Sequence, residues 1–321
     1  MLVTGGVFFL AAERVLSPES VTVHEVGHQW WYGMVANNEF EEAWLDEGIN
    51  SWAETRVLSH TYAPPLYTRR FFGVLPITSN LERPFPFEGL SALRRAGKLD
   101  PMTTTSWQTR NRLSYRVNSY SKPELVLRTL ENFMGEELFL QAMCTYFQRY
   151  AFHHPNTTQF KETLNEVSGS DWNWFFDQTF DSADVADYAI SNLQSTIIPR
   201  LKQSADNAHP TTEETTYLSE VVVERNGNIR LPVSVLIVFE DGTEFREYWD
   251  GQDPWQRFSY ERPSRLKMAQ VDPDNLILID VNPANNSRKY PGSDFSLAAL
   301  KWAGLWMFWF QNLIETLGLV S

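Results

Sequence analysis

The sequence predicts an α+β protein in two parts, a mainly helical first stretch followed by a β domain from about residue 186. Three observations predict it. The chain has 321 residues, and at roughly 150 residues per domain that length accommodates about two domains with sizeable cores. In the first part, apolar residues recur at spacings of three and four, as in Leu125, Leu127, Leu130 and Phe133, and again in Leu138, Ala142 and Tyr146. That is the period of an amphipathic helix. Beyond residue 186 come two β-rich runs, VSVLIVF at 233 to 239 and LILIDV at 276 to 281, with the hairpin-turn dipeptides Asn226-Gly227 and Asp241-Gly242.

In chain order, the opening MLVTGGVFFLAAERV is apolar without a positively charged start or a small-residue cleavage pattern, so a truncated strand is predicted rather than a signal peptide. A helix is predicted over 17 to 34, with Ser17 as side-chain cap, Pro18 in the first turn and a stop near Gly33. A second spans 46 to 59, and several more lie between 122 and 180. The polar stretch KQSADNAHPTTEETT at 202 to 216 reads as an exposed loop. Near the end, the apolar run at 302 to 310 is far shorter than the ~20 residues that span a bilayer. Its aromatic residues suit a terminal amphipathic helix, which either docks on the protein itself or makes a peripheral membrane contact through residues 297 to 320.

Hydrophobic residues make up 43% and charged residues 21% of the chain, ordinary globular usage that excludes a disordered or filamentous protein. The 27 basic residues stand against 40 acidic ones, a net charge of −13 that repels phosphate backbones and argues against nucleic acid as a partner. The single cysteine, Cys144, allows no internal disulfide and no thiolate cluster. It is predicted to be a buried core thiol, so any metal must sit on histidines and carboxylates. The lone cysteine fits a reducing or an oxidising location, so the compartment stays open, the cytoplasm and the membrane periphery among the candidates.

The informative stretch is VTVHEVGHQWWYGMVANNEFEEAWLDEGINSWAE at 21 to 54. His24 and His28, four apart, put both imidazoles on one face of a helix, with Glu25 rotated by one position so that its carboxylate approaches a metal without binding it. A third ligand is required, and Glu47, nineteen positions after His28, supplies it. Two imidazoles and one carboxylate leave the fourth position of a zinc ion open to water, as a catalytic site needs. Glu54, two turns after Glu47 on the same face, is placed to hydrogen-bond a ligand imidazole. In this scheme Glu25 is the base that takes a proton from the attacking water and returns it to the leaving amine.

HEVGH, the eighteen-residue gap and Glu47 within WLDEG resemble the gluzincin zinc aminopeptidases, the family of membrane alanyl aminopeptidase and leukotriene hydrolase. Downstream, NSYSK at 118 to 122 resembles the family's Tyr-x-Lys segment, and HPNTTQFKETLNEVSGSDWNWFFDQTF at 154 to 180 resembles its helical signature. The likeness implies a thermolysin-like, mainly helical zinc-peptidase domain, N-terminally truncated, over 1 to 185. It implies a β-sandwich domain over 186 to 288, with a C-terminal amphipathic helix over 289 to 321. It further implies one zinc ion, peptide substrates, and Tyr120 as hydrogen-bond donor to the oxyanion. Tyr115, five residues earlier, is an alternative for the same pocket.

Two departures from the family stand out. Its Gly-x-Met-Glu-Asn-like segment, whose glutamate holds a substrate's free amine, is missing: only Glu13 and Glu19 precede His24 as carboxylates. The chain is therefore expected to start beyond that motif. Position 123 is Pro where family members often carry Gly, which bears on the placement of Tyr120. Two functions compete: a zinc peptidase, expected to be an aminopeptidase, and a catalytically impaired zinc-binding remnant acting as a protein- or membrane-surface binding module. Nothing in the sequence favours epoxide hydrolysis.

Overall fold

A computed structural model of the chain describes residues 17–63, 87–198 and 215–290, four two-residue strands between 66 and 82, and three helical positions, Trp306, Trp309 and Phe310. The strand predicted at the N-terminus, nearly all of the loop at 202 to 216 and most of the terminal helix at 289 to 321 lie outside the described residues.

The first helix, α1, runs Ser17–Gly27 and is shorter than the 17 to 34 the sequence predicts. The chain leaves the helical path there because Gly33 N bonds back to His28 O at 2.8 Å and Tyr32 adopts a left-handed φ of 103°. A short α2 (Glu39–Ala43), capped by the Asn38 side chain on Phe40 N, feeds a π-helical turn, Trp44–Gly48, which continues directly into α3 (Ile49–Thr61). The predicted helix at 46 to 59 is thus the later part of a longer helical run. Four two-residue strands follow as two antiparallel pairs, β1 (Leu66–Tyr67) with β4 (Leu81–Glu82) and β2 (Arg70–Phe71) with β3 (Leu75–Pro76).

Then come α4 (Phe87–Ala96), α5 (Arg112–Arg116), a second π-helical turn at Val117–Ser121, and α6 (Lys122–Met134). Gly135, at φ 85°, breaks the chain between α6 and α7 (Glu136–Tyr150), a conformation that costs glycine nothing. The helices close with α8 (Thr157–Ser168), held by a capping box between Asn156 and Gln159, and α9 (Asn173–Thr179). Cys144 is exposed, contrary to expectation. The buried stripe of α7 is Phe139, Ala142, Met143 and Tyr146, and position 144 falls outside it.

The strand pairs of the second part are all antiparallel, with one isolated parallel bridge between Ala186 and Asp280. One sheet has the order β5 (Tyr188–Ile198), β6 (Thr216–Arg225), β9 (Trp255–Arg262); the other has β11 (Ser287–Lys289), β10 (Leu266–Val271), β7 (Val233–Phe239), β8 (Glu244–Trp249). Their inner faces meet through Val221, Val223, Val235, Ile237 and Phe239, with Tyr260 set edge-on against Phe239 at 5.6 Å. Asp241-Gly242 is the turn between paired β7 and β8, but Asn226-Gly227 is not a hairpin turn. It carries the chain from one sheet to the other, and Gly227 lies so close to Val185 O that a β carbon would overlap it.

LILIDV, predicted as a strand, is not one. The Asp272 carboxylate accepts from Leu276 N at 2.9 Å and Ile277 N at 2.8 Å, and Thr129 Oγ1 from Leu278 N at 3.1 Å, so side chains take the backbone donors a strand neighbour would need. Ile277 and Ile279 still bury their side chains. Through this segment the helices and sheets share one apolar core, centred in the helical part on Trp44, Phe160, Phe176 and Phe180. No helix among the described residues is long and apolar enough to cross a membrane.

Candidate metal centre

The site lies where α1 meets the first π-helical turn and α3, and α3 in turn packs on α6. On the α6 side, Thr55 Oγ1 donates to Glu124 at 2.6 Å and Trp52 Nε1 to Glu131 at 2.9 Å, with Arg56 paired to the same Glu131. The π-helical turn before α3 is anchored separately: Trp44 Nε1 donates to Thr157 Oγ1 at 2.9 Å, and Thr157 N to Glu42 at 3.0 Å. These ties, three of the five fully buried, fix the direction in which Asp46 and Glu47 leave the backbone.

His24, His28 and Glu47 converge, each offering one donor atom within 4.8 Å of the others. Glu47 Oε2 lies 3.0 Å from His24 Nε2 and 3.3 Å from His28 Nε2. The opposite ring nitrogens are held by other groups. His24 Nδ1 is 3.0 Å from Glu54 Oε2, and because a carboxylate only accepts, Nδ1 carries the proton. His28 Nδ1 donates to Trp31 O at 3.2 Å and has Asp46 Oδ1 at 2.7 Å beside it, an ion-pair contact without a straight hydrogen bond. Both imidazoles therefore turn Nε2 inward and hold Nδ1 on an acidic or carbonyl oxygen. That is the outer support a metal-binding histidine needs, and the inward set of two nitrogens and one oxygen suits a divalent ion such as zinc.

Burial works against charge at every one of these groups, and opposite charges beside them reverse it at His24, His28 and Glu47 but not at Asp46. Burial depresses His24 and His28, but the carboxylates beside them, Glu47 and Glu54 at His24 and Asp46 and Glu47 at His28, favour the charged rings and raise them to about 9 and about 10. Glu47 is raised by burial, yet the two histidines and Tyr120 bring it down to about 2. Asp46 is pushed up to about 6 because burial outweighs its histidine partner. Tyr120 donates its phenol to Glu47 Oε1 at 2.5 Å and stacks on the His24 ring, centroids 5.8 Å apart. Burial and the Glu47 charge push that phenol well above its ordinary value, so it stays protonated.

Tyr115 also faces the acidic groups, since burial and then the charges of Glu39, Glu47 and Asp46 raise it, but the hydrogen bond to Glu47 is made by Tyr120. The Pro123 ring packs where a β carbon on Gly48 would be, holding the start of α6 against the first π-helical turn. Glu25 follows His24 on α1, half-buried, with no hydrogen bond or ion pair on its carboxylate among the described residues. Sequence reasoning gave no role to Asp46, although it adjoins Glu47, or to Asn50, three positions beyond.

A helical body with two imidazoles four positions apart and a carboxylate from the next helix defines a metallopeptidase of the gluzincin class. The chain belongs to peptidase family M1, whose domain model matches residues 10–179, just over half of it. Alanine/arginine aminopeptidase of Saccharomyces cerevisiae is 24% identical over 159 residues, covering 50% of this chain and 17% of that protein. Aminopeptidase N of Bos taurus is 31% identical over 150 residues, covering 46% and 14%. The chain thus spans less than a fifth of the length of these relatives. Among solved structures, Legionella pneumophila aminopeptidase A in complex with aspartic acid is similar in fold, with a TM-score of 0.50 at 15% identity over 83% of this chain and 27% of that one.

Proposed function

We propose that this chain is a zinc-dependent peptidase that hydrolyses peptide bonds by releasing N-terminal residues, with one zinc ion held by His24, His28 and Glu47. The observation that carries the reading is the inward turn of both Nε2 atoms towards Glu47 while Glu54 and Asp46 stand at the two Nδ1 atoms. The aminopeptidase relatives support the substrate class. Bound there, zinc supplies a Lewis acid and lowers the pKa of water towards about 7. The Glu25 carboxylate takes a proton from the attacking water and returns it to the amine as the C–N bond breaks. With Glu47 committed to the metal, the protonated Tyr120 phenol, which donates to Glu47 here, turns its single proton to the developing oxyanion. Glu54 and Asp46 orient the imidazoles from outside.

The same reading divides the chain into a peptidase domain over 1 to 185, a β-sandwich domain over 186 to 288 and a terminal amphipathic helix over 289 to 321. A second reading, a zinc-binding module without turnover that contacts a protein or membrane surface, draws on the exposure of Trp306 and Phe310.

The test is hydrolysis of a panel of aminoacyl arylamides by the zinc-loaded 321-residue chain beside Glu25→Gln. Turnover that falls by roughly 10²–10⁴ in the variant, with zinc retained, supports the peptidase. Zinc uptake without turnover by the unaltered chain favours the binding module.

A further inference from the structure

We infer that Asn50 is a positioning residue for the first metal-binding histidine, holding the main chain of His24 while Glu47 and Glu54 hold its ring. The inference rests on the zinc reading above and extends it to a residue that no motif marks. Glu47, Asn50 and Glu54 follow one another at spacings of three and four along a continuous helical run, so they share one face. All three meet the same residue. Glu47 Oε2 lies 3.0 Å from His24 Nε2, Glu54 Oε2 3.0 Å from His24 Nδ1, and Asn50 Nδ2 donates to His24 O at 2.6 Å.

The His24 carbonyl also accepts the helical bond from His28 N, at 3.3 Å. The side-chain amide is therefore the closer of its two donors, at the point where α1 ends and the second histidine begins. By drawing that carbonyl, Asn50 sets how far the backbone rises between the two imidazoles, and so where the two Nε2 atoms stand. Asn50 is fully buried, and its Oδ1 finds no hydrogen-bond donor. A residue serving only to fill space would avoid that desolvation cost as leucine. The oxygen instead lies against Gly27, where a β carbon would overlap it. A side chain at position 27 would therefore have to displace the Asn50 amide.

The test compares the full chain with Asn50→Ala and Asn50→Leu, the second keeping the volume without the donor. Two readouts apart from turnover are used: zinc affinity by chelator competition, and the visible absorption of the cobalt(II)-loaded protein. The expected result is a 10–100-fold loss of zinc affinity in both variants, the range for partners behind metal ligands, with shifted cobalt bands and the helical circular dichroism of the metal-free chain retained. If Asn50→Ala does not fold, Asn50→Leu decides. Zinc affinity within twofold of the unaltered chain, with unchanged cobalt bands, overturns the role of Asn50 and leaves the zinc site standing. An unaltered chain that takes up no stoichiometric zinc overturns both.

Discussion

Tyr120 and Glu47, 73 positions apart in sequence, are joined by a hydrogen bond of 2.5 Å, and each lies in a π-helical turn. Such turns insert an extra residue into a helix and recur at functional sites, because they re-aim side chains that a regular helix would send elsewhere. Here Gly48 of the first turn lies against Ser119 O of the second and against the ring of Pro123, just beyond it at the start of α6. The phenol and the carboxylate are set relative to one another by that contact.

Tyr120→Phe removes the phenolic donor while keeping the ring that stacks on His24. The expected outcome is a fall in kcat of roughly 10²–10³, the cost of losing one oxyanion donor, with zinc content unchanged. Steady-state kinetics with metal analysis checks it, and a kcat within a few-fold of the unaltered chain refutes the role.

Glu54→Gln leaves His24 Nδ1 a neutral oxygen in place of the carboxylate. Zinc affinity should drop about 10–100-fold. Competition with a chelator measures this, and equal affinity would mean that Glu54 serves only α1–α3 packing.

Gly48→Ala places a methyl group into the Pro123 ring, and its β carbon would also stand 3.1 Å from Ser119 O. Overpacking of this kind costs about 1–3 kcal/mol, read as a lower Tm. Gly48→Ala/Pro123→Gly relieves the overlap, so the double variant should recover most of the loss. If it does not, the two turns are not held by this contact.

Glu124 is buried and accepts from Thr55, and burial raises its pKa from 4.5 to about 7. Between pH 4.5 and 7 the folded chain therefore holds a proton that the unfolded chain has lost, so this group lowers stability as pH rises through that window and leaves it lowered above 7. Glu124→Gln should stabilise the protein at pH 8 by up to about 3 kcal/mol and have little effect near pH 4.5. Denaturant unfolding at the two pH values checks the sign; equal effects at both would contradict it.

The pattern HEVGH with Glu47 was legible because helix periodicity alone puts His24 and His28 on one face, and Glu54 was legible for the same reason. Asp46 and Asn50 were not. Asp46 reaches His28 because the helix is π-wound at 44–48, and no residue pattern in WLDEG announces that winding. Asn50 matters through a main-chain carbonyl, an acceptor that every residue carries and that spacing cannot single out. LILIDV misled for a related reason: apolar composition reports burial, and here Asp272 and Thr129 took the backbone donors a strand would have used. Cys144 misled because residue type suggests burial, while its place on α7 decides exposure.

What the sequence by itself determined is the helical first part, the β-rich second part, and the residues of the metal motif. These follow from local periodicity and from the few side chains able to bind zinc through nitrogen and oxygen. What only the tertiary structure decided is how those groups face one another: Glu47 on both Nε2 atoms, Glu54 and Asp46 at the two Nδ1 atoms, and Tyr120 on Glu47. Each of these contacts joins elements far apart in the chain. Their geometry is set by packing of α1, α3 and α6 and by two π-helical turns, which are properties of the assembled core and not of any single segment.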